Sequence, residues 1–327
     1  MPKRNHFLQD PKQALALIGK IIGGRKTAPE KKRTNLFRRI DRLIDEQLLD
    51  TLNEAGLEEE ELAFSERLRL LSDKIEQLGK FELLEHKAII GVGGQFSAGK
   101  STFINSLIGK EPVLPQNISV TTSISTYIIC GKKDQNSAYT TNHQFIKLAD
   151  EEYKALTHEF TETYVGFSRF VDNIILERHD FSDNIAAASD TDRNGGDWWK
   201  HVALLDTPGY NKARDGQQER FTDRKQAAEQ LENVDFLLWL LSVENGDLSE
   251  SDMDFLFESL GSKLSECPER VLVVINKAKK KSDTAMKEIL EQVEETLRNA
   301  GISEKCLVTA YDSIAREERF GKTHIID

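Results

Sequence analysis

Gly-Gly-Gln-Phe-Ser-Ala-Gly-Lys-Ser-Thr occupies residues 93–102 of this chain. From Gly94 the stretch matches G-x-x-x-x-G-K-[ST], the pattern of a phosphate-binding loop. An apolar run at residues 88–92 precedes it, and residues 103–109 continue as a short helical pattern closed by a glycine. A strand, a loop and a helix in that order predict a site for the phosphates of a nucleotide.

The residue types of this loop suit the charge of a nucleoside triphosphate. Gly94 and Gly99 let the backbone curl so that its N–H groups face the phosphates at the start of the next helix. We expect Lys100 to reach the β- and γ-phosphates and the Ser101 hydroxyl to bind Mg²⁺. The predicted nucleotide-binding residues of the loop are Gly94, Gln95, Phe96, Ser97, Ala98, Gly99, Lys100, Ser101 and Thr102.

Composition places the chain among soluble proteins of ordinary size. Of its 327 residues, 39% are hydrophobic and 30% are charged. The three cysteines, Cys130, Cys267 and Cys306, are far apart and form no C-x-x-C pair, which favours reduced thiols over a disulfide framework or a zinc site. The sequence predicts a cytoplasmic location.

Membrane contact is expected only at the surface of a bilayer. No secretory signal is visible, and the longest apolar run, residues 236–241, is far shorter than the roughly 20 residues that span a bilayer.

Charge is distributed unevenly along the chain. Residues 1–39 hold eleven basic and two acidic side chains, a net +9, so the rest carries −20 to give the overall −11. A basic arm on an acidic body can attract anionic lipid, nucleic acid or the protein's own acidic face, and of these nucleic acid is not expected as a partner. The apolar residues 14–22 within the arm favour a helix packed on the protein's own body, with a helix lying in a membrane interface as the alternative.

Three regions follow from these patterns. Residues 1–33 form the basic arm and a linker, and residues 34–86 carry two apolar stripes at helical spacing, which predict a helical hairpin. From residue 87 to 327 strands alternate with helices, which predicts an α/β domain with a mostly parallel sheet and helices on both faces. In detail we expect a helix over residues 151–160, a last strand over 306–310 and a closing helix over 312–320.

A second motif, Asp206-Thr207-Pro208-Gly209, lies about a hundred residues after the loop. It follows residues 201–205, His-Val-Ala-Leu-Leu, which are typical of a strand. An aspartate at the carboxyl end of a strand beside the phosphate loop can hold Mg²⁺, and the Gly209 amide can face the γ-phosphate.

These motifs carry a family resemblance. The phosphate loop, Thr121-Thr122 after the first helix, the motif at Asp206 and Asn276-Lys277 together resemble the GTPase domain of the dynamin superfamily. The form G-x-F-S-A-G-K-S-T-F-I-N-S-L-I-G is similar to bacterial dynamin-like proteins, including the group named for labile-enterotoxin output. The resemblance covers about residues 87–320 and implies a neck-like role for the helices before it.

The resemblance also implies roles for individual residues. Thr121 or Thr122 would bind Mg²⁺ and position the attacking water, together with Ser101 and Asp206 as metal ligands. Ser97 and Lys100 would complete the catalytic set. Asn276 and Lys277 would contact the base, and Thr309-Ala310 stands where the family's final base-contacting motif lies.

Two positions depart from the family pattern. Eukaryotic dynamins have glutamine where this chain has Phe96, with Gln95 one place earlier. The guanine-reading motif N-K-x-D requires aspartate at position 279, where this chain has Lys279. A charge-assisted hydrogen bond is worth about 1.5–3 kcal/mol, so this replacement predicts weak guanine selectivity.

The expected function is that of a dynamin-like GTPase that binds and hydrolyses GTP with Mg²⁺, dimerises on nucleotide binding and remodels membrane or releases vesicles. The alternative is a degenerate GTPase-fold module with little hydrolysis, which assembles with another dynamin-like subunit. An ATPase of another P-loop class fits less well, because the motifs at Asp206 and Asn276 suit a GTPase. Since family members continue into a helical stalk and this sequence stops at Asp327, we expect either a shortened product or a partner chain that supplies the stalk.

Overall fold

A computed structural model describes residues 5–23, 42–43, 51, 54, 82–84, 86–95, 97–108, 113–115, 124–140, 144–165, 170–179, 199–209, 228, 230–243, 256, 267–302 and 305–321. The chain forms two compact units. One comprises Met1–Gly24 and Ala88–Asp327, and the other is Arg25–Lys87. The expected helical hairpin at residues 34–86 lies almost wholly outside the described residues. Of that second unit, the structure describes a 3₁₀ turn at Glu82–Leu84.

Within the described residues of the first unit, ten strands form a single sheet. In chain order the strands are β1 (Ala88–Gly94), β2 (Thr126–Cys130), β3 (Gln135–Thr140), β4 (Phe145–Leu148), β5 (Val171–Arg178), β6 (Val202–Asp206), β7 (Phe236–Ser242), β8 (Val271–Asn276), β9 (Leu307–Asp312) and β10 (Glu317–Gly321). Their order across the sheet is β10-β9-β8-β7-β1-β6-β2-β5-β3-β4. This arrangement confirms the predicted α/β fold class.

The sheet is parallel at its centre and mixed towards its edges. Strands β9, β8, β7, β1 and β6 run parallel in that order. β2 is antiparallel to β6 but parallel to β5, and β3, β4 and β10 join as antiparallel strands. The central strands are nearly continuous apolar runs, as in β7 with Trp239 and Leu240 fully buried, because a parallel sheet is covered on both faces.

Five α-helices lie in the described ranges: α1 (Pro11–Ile22), α2 (Lys100–Ile108), α3 (Asp150–Ala155), α4 (His158–Val165) and α5 (Asp283–Asn299). Side chains fix where the longer ones begin. Asp10 accepts hydrogen bonds from the first-turn N–H groups of α1, and Ser282 accepts one from Ala285 at the start of α5. No helix in this described part of the chain has the length and apolarity needed to cross a membrane.

Helix α1 packs on the protein's own body, as the sequence favoured. Its inward face, Ala14, Leu17 and Ile21, is almost fully buried in the main core. Flanking contacts fix the segment at both ends. The Tyr164 hydroxyl donates to the Leu8 carbonyl at 3.1 Å, and the Lys20 ammonium pairs with a carboxylate oxygen of Glu152.

The expected closing helix at residues 312–320 is wrong. After β9 the chain makes a tight turn at residues 313–316 and returns as β10, antiparallel to β9. The Asp312 carboxylate accepts the N–H groups of Ile314 and Ala315, and Arg316 adopts a left-handed φ of 57°. Pairing with the open edge of β9 outweighs the helical preference of this local sequence.

The expected helix over residues 151–160 is interrupted. α3 ends at Ala155 and α4 begins at His158, because the chain turns at Leu156 and Thr157. The Thr157 side chain then accepts the N–H of Phe160 at 3.3 Å, as a helix cap does.

Truncation of Leu17 tests whether α1 is docked on the body in solution. Leu17 is 2% exposed, and we expect Leu17→Ala to lower the free energy of unfolding by about 2–5 kcal/mol because it leaves a cavity. Leu15 on the same helix is 61% exposed, so Leu15→Ala should change the free energy of unfolding by less than about 0.5 kcal/mol. Chemical denaturation of both variants makes the comparison, and equal effects would contradict a docked helix.

Candidate nucleotide-binding site

The phosphate loop lies between the end of β1 and the start of α2. Its backbone uses left-handed conformations at Gly94 (φ 137°), Ser97 (φ 65°) and Gly99 (φ 89°). A Cβ on Gly94 would lie 2.3 Å from the Leu240 carbonyl oxygen, so no side chain fits at that position. These conformations give the loop its inward curl.

Lys100, at the start of α2, is buried inside this curl. Its ammonium group donates to the carbonyl oxygens of Gly94 at 3.1 Å and Gln95 at 3.3 Å. Burial lowers the pKa of Lys100 to about 8, although the nearby Asp206 carboxylate acts in the opposite direction. The loop therefore surrounds the Lys100 ammonium group, and anionic oxygens bound beside it would offset the cost of burying its charge.

Ser101 and Asp206 meet beside this lysine. The Ser101 hydroxyl donates to a carboxylate oxygen of Asp206 at 2.8 Å, and Asp206 is fully buried at the end of β6. The next residue, Thr207, donates its hydroxyl to the Val92 carbonyl at 2.8 Å and so ties this strand end to β1. Hydroxyl and carboxylate oxygens are hard donors, which fit Mg²⁺.

Asn276, at the end of β8, joins the phosphate loop to the loop after β9. Its amide nitrogen donates to the Ala98 carbonyl at 3.0 Å. Its amide oxygen accepts the Ser313 hydroxyl at 2.7 Å and the backbone N–H groups of Lys277 and Ser313. Both polar atoms of this buried side chain are therefore committed to holding loops together.

Lys277 adopts a left-handed φ of 64° and reaches back to the phosphate loop. Its ammonium group donates to the Ser97 carbonyl at 3.1 Å. The turn thus places Lys277 over the outer side of the loop, while Lys100 fills the inside.

Lys279 is bound by the hairpin of β9 and β10. Its backbone N–H donates to the Asp312 carboxylate at 3.0 Å, and its ammonium group pairs with Glu317 at 2.8 Å. Burial alone would raise the pKa of Asp312, but three backbone N–H donors and the charge of Lys279 outweigh it and lower that pKa. The Asp312 carboxylate is therefore ionised and saturated with backbone donors.

The structure brings most of the predicted site residues to one edge of the sheet. The residues of the loop and of the two strand ends lie there, namely Gly94, Gln95, Ser97, Ala98, Gly99, Lys100, Ser101, Thr102, Asp206, Gly209, Asn276 and Lys277. Phe96, Thr121 and Thr122 fall outside the described residues, as does the polar loop at residues 210–223.

Thr309 and Ala310 lie inside β9 rather than in a loop. Both are fully buried and pair with Val274 and Ile275 of β8, and the Thr309 hydroxyl donates to the Phe320 carbonyl at 2.9 Å. Ser313 is the residue of this segment that touches Asn276.

Sequence reasoning missed Asp312 and Ser313. No short motif marks them, since an aspartate-serine pair is common in turns. The one signal in the sequence is their position, at and directly after the end of a strand in a sheet whose other strand ends carry polar site residues.

Substitution of Gly99 tests how tightly the loop is packed on Asn276. A Cβ at Gly99 would lie 2.6 Å from the Asn276 amide nitrogen, and the φ of 89° disfavours any side chain, so Gly99→Ala should cost about 1–3 kcal/mol of stability. Gly19 in α1 has no atom within 4 Å of an added Cβ, so Gly19→Ala should stabilise by about 0.4–1 kcal/mol. Chemical denaturation compares the two variants with the parent protein. A Gly99→Ala variant at least as stable as the parent would refute the tight packing of Gly99 on Asn276.

Comparison with solved structures gives remote matches. Two of the matched structures are described as an oligomerised bacterial dynamin pair that provides a mechanism for the long-range sensing and tethering of membranes. Both are 20% identical to this chain, with TM-scores of 0.47 and 0.46. Each match covers 90% of this chain and 48% of the other. A crystal structure of an Aquifex aeolicus Era variant bound to GDP·AlF4⁻ matches at 14% identity with a TM-score of 0.36, over 69% of this chain and 51% of that one. The chain thus spans about half the length of these structures.

Comparison with protein families is more decisive. No curated protein matches the chain. The model of the Dynamin family matches residues 90–278, which run from β1 through the phosphate loop and Asp206 to the turn after Asn276. The match covers more than half of the sequence, and the chain belongs to the dynamin family.

Proposed function

We propose that this chain binds GTP with Mg²⁺ in the phosphate loop and hydrolyses it, and that it couples hydrolysis to dimerisation and to membrane remodelling or vesicle release. The observation that carries the proposal is the buried Lys100 inside the loop, beside the Ser101–Asp206 contact. Membership of the dynamin family supports the same reaction.

Phosphate binding follows from the state of Lys100. Its ammonium group is buried and held by two backbone carbonyls, which are weaker partners than phosphate oxygens. With a pKa of about 8 the group is protonated at neutral pH, and an anion beside it would raise that pKa and stabilise the charge. The start of α2 adds backbone N–H donors directed at the same position.

Ser101 and Asp206 are the residues that would hold Mg²⁺. Asp206 is ionisable, fully buried and within hydrogen-bond distance of the serine hydroxyl, so the two oxygens already converge. When bound, Mg²⁺ neutralises charge on the β- and γ-phosphates during transfer.

Hydrolysis in this proposal is an in-line attack of water on the γ-phosphorus. The new P–O bond forms as the bond to the β-phosphate oxygen breaks, and the products are GDP and phosphate. Lys100 stabilises the charge that develops on the transferred group. We assign the orientation of water to Thr121 or Thr122, aided by Ser97, whose carbonyl is held by Lys277.

A second candidate, a GTPase-fold assembly module with little turnover, is favoured by one observation. Lys279 occupies the position of the guanine-reading aspartate and is paired with Glu317. Nucleotide binding with little release of phosphate would identify this module. It would then act with another dynamin-like subunit.

Removal of the Lys100 ammonium group tests the enzymatic proposal. We expect Mg²⁺-dependent release of phosphate from GTP in the parent protein and a loss of at least about 100-fold in Lys100→Ala, because a preorganised charge at the transferred group is removed. The control is Lys12→Ala, which changes an exposed lysine of α1. Equal phosphate release in all three proteins would show that the activity does not reside in this site.

Sedimentation tests the coupling to assembly. With GDP and aluminium fluoride, which mimic the transition state, we expect a shift from monomer to a larger species, and co-sedimentation with anionic vesicles should increase in parallel. Lys100→Ala should show neither change. A parent protein that binds the mimic yet sediments as before would contradict nucleotide-dependent dimerisation.

A further inference from the structure

Helix α1 has apolar side chains on two sides, and only one of these sides is buried. The inward residues Ala14, Leu17 and Ile21 are at most 2% exposed and belong to the main core. Leu15 and Ile22 on the same helix are 61% and 53% exposed. Among the described residues six large hydrophobic side chains are exposed, so this one helix carries two of them.

The exposed apolar side of α1 lies away from the acidic helix α3. Each residue of an α-helix turns the chain by about 100°, so Leu15 and Ile22, which are seven residues apart, lie on one side, with the half-buried Ile18 between them and the core. Lys20 lies about 150° further round the helix and pairs with Glu152 of α3. The acidic first turn of α3 is therefore on the opposite flank of α1.

The charge around this side of α1 is strongly basic. Lys12 is exposed and lies three residues before Leu15, on the same side of the helix. Asp10, just before the helix, accepts hydrogen bonds from the first-turn N–H groups of α1. Residues 11–33 hold seven basic side chains and one acidic one, a net +6, namely Lys12, Lys20, Arg25, Lys26, Lys31, Lys32 and Arg33 against Glu30. A basic segment of this kind attracts anionic lipid headgroups.

We propose that the outward side of docked α1, formed by Lys12, Leu15 and Ile22, is a contact surface for an anionic lipid bilayer. This inference names the surface for the membrane contact in the proposed function and rests on that part of it. The helix stays docked, because its inward face belongs to the core. Leu15 and Ile22 enter the boundary between headgroups and acyl chains, while the basic side chains lie beside the anionic headgroups. The contact requires no nucleotide.

A bilayer fits this surface better than a protein partner does. A stable protein interface takes about 20–30 residues from each side, whereas a helix binds in a membrane interface through a narrow apolar side with basic residues beside it. The helix is also already ordered. Asp10 caps its start, and the Gly23 N–H donates to the Gly19 carbonyl at 2.8 Å at its end, so binding requires little further ordering of this segment.

Co-sedimentation with vesicles in the absence of nucleotide tests the surface. The parent protein should bind vesicles of phosphatidylcholine and phosphatidylglycerol in equal parts at least about tenfold more tightly than vesicles of phosphatidylcholine alone. Leu15→Gln/Ile22→Gln should weaken binding to the anionic vesicles by at least about tenfold, because two apolar side chains are lost from the interface. Lys12→Glu should weaken it by about fivefold or more at low salt and by less at high salt.

Two exposed positions elsewhere in the first unit supply matched controls. Ile314→Gln removes an apolar side chain that is 87% exposed in the turn after β9. Lys147→Glu reverses an exposed charge on β4, on the face opposite to Ile146 and Leu148, which share the core with α1. Both variants should bind anionic vesicles as the parent does. All variants should keep the unfolding midpoint of the parent, because every changed side chain is exposed.

The outcomes separate this inference from the proposed function. Equal binding of the parent to both kinds of vesicle, equal anionic binding by Leu15→Gln/Ile22→Gln, or an equal loss in the controls overturns the inference while phosphate release from GTP stands. A change in the oligomeric state of the double variant without vesicles would assign the surface to a second copy of the chain and also overturn it. A parent that binds no vesicles with or without nucleotide overturns the membrane contact of the proposed function as well. Lys100→Ala should bind anionic vesicles like the parent when nucleotide is absent, and a loss there would contradict a surface that acts without nucleotide.

Discussion

The structure of the site depends on one buried amide, that of Asn276. Its nitrogen binds the Ala98 carbonyl and its oxygen binds Ser313, so a single side chain joins the phosphate loop, the end of β8 and the loop after β9. Buried backbone N–H and C=O groups of loops need hydrogen-bond partners. Where three segments meet at one edge of the sheet, many such groups lie close together. The Asn276 side chain supplies one donor and one acceptor to these backbone groups. A side chain at position 99 would collide with the same amide, which explains the glycine there.

The opposite side of the phosphate loop is organised by charge. Lys100 and Asp206 are both buried, and each partly offsets the cost of burying the other. Lys100 also donates to backbone carbonyls, and Asp206 accepts the Ser101 hydroxyl. The hydrogen bonds of Asn276 thus fix one side of the loop. On the other side, the buried ammonium group of Lys100 favours an incoming anion.

The conformation of the phosphate loop could be predicted from the sequence because chemistry and local structure demand the same residues. The phosphate loop requires its glycines for the backbone and Lys100 for the charge, so Gly94, Gly99 and Lys100 are visible as a motif. The strand β10 was missed because its pairing with β9 is a tertiary interaction, which local helical preference at residues 312–320 does not report. The family resemblance points to Thr309 and Ala310, but β9 continues two residues further to Asp312, and Ser313 is the residue that reaches Asn276.

The phosphate loop and the neighbouring hairpin of β9 and β10 are held in different ways. At the phosphate end Lys100, Ser101 and Asp206 are packed against one another, so replacing one leaves a buried charge or hydroxyl without its partner. At the other end Lys279 and Glu317 are half exposed on a backbone that Arg319 and Asp312 hold independently of them. The exposed pair contributes little to stability, although the charge of Lys279 also helps to lower the pKa of Asp312. Packing therefore constrains substitution around the phosphate loop more than at this exposed pair.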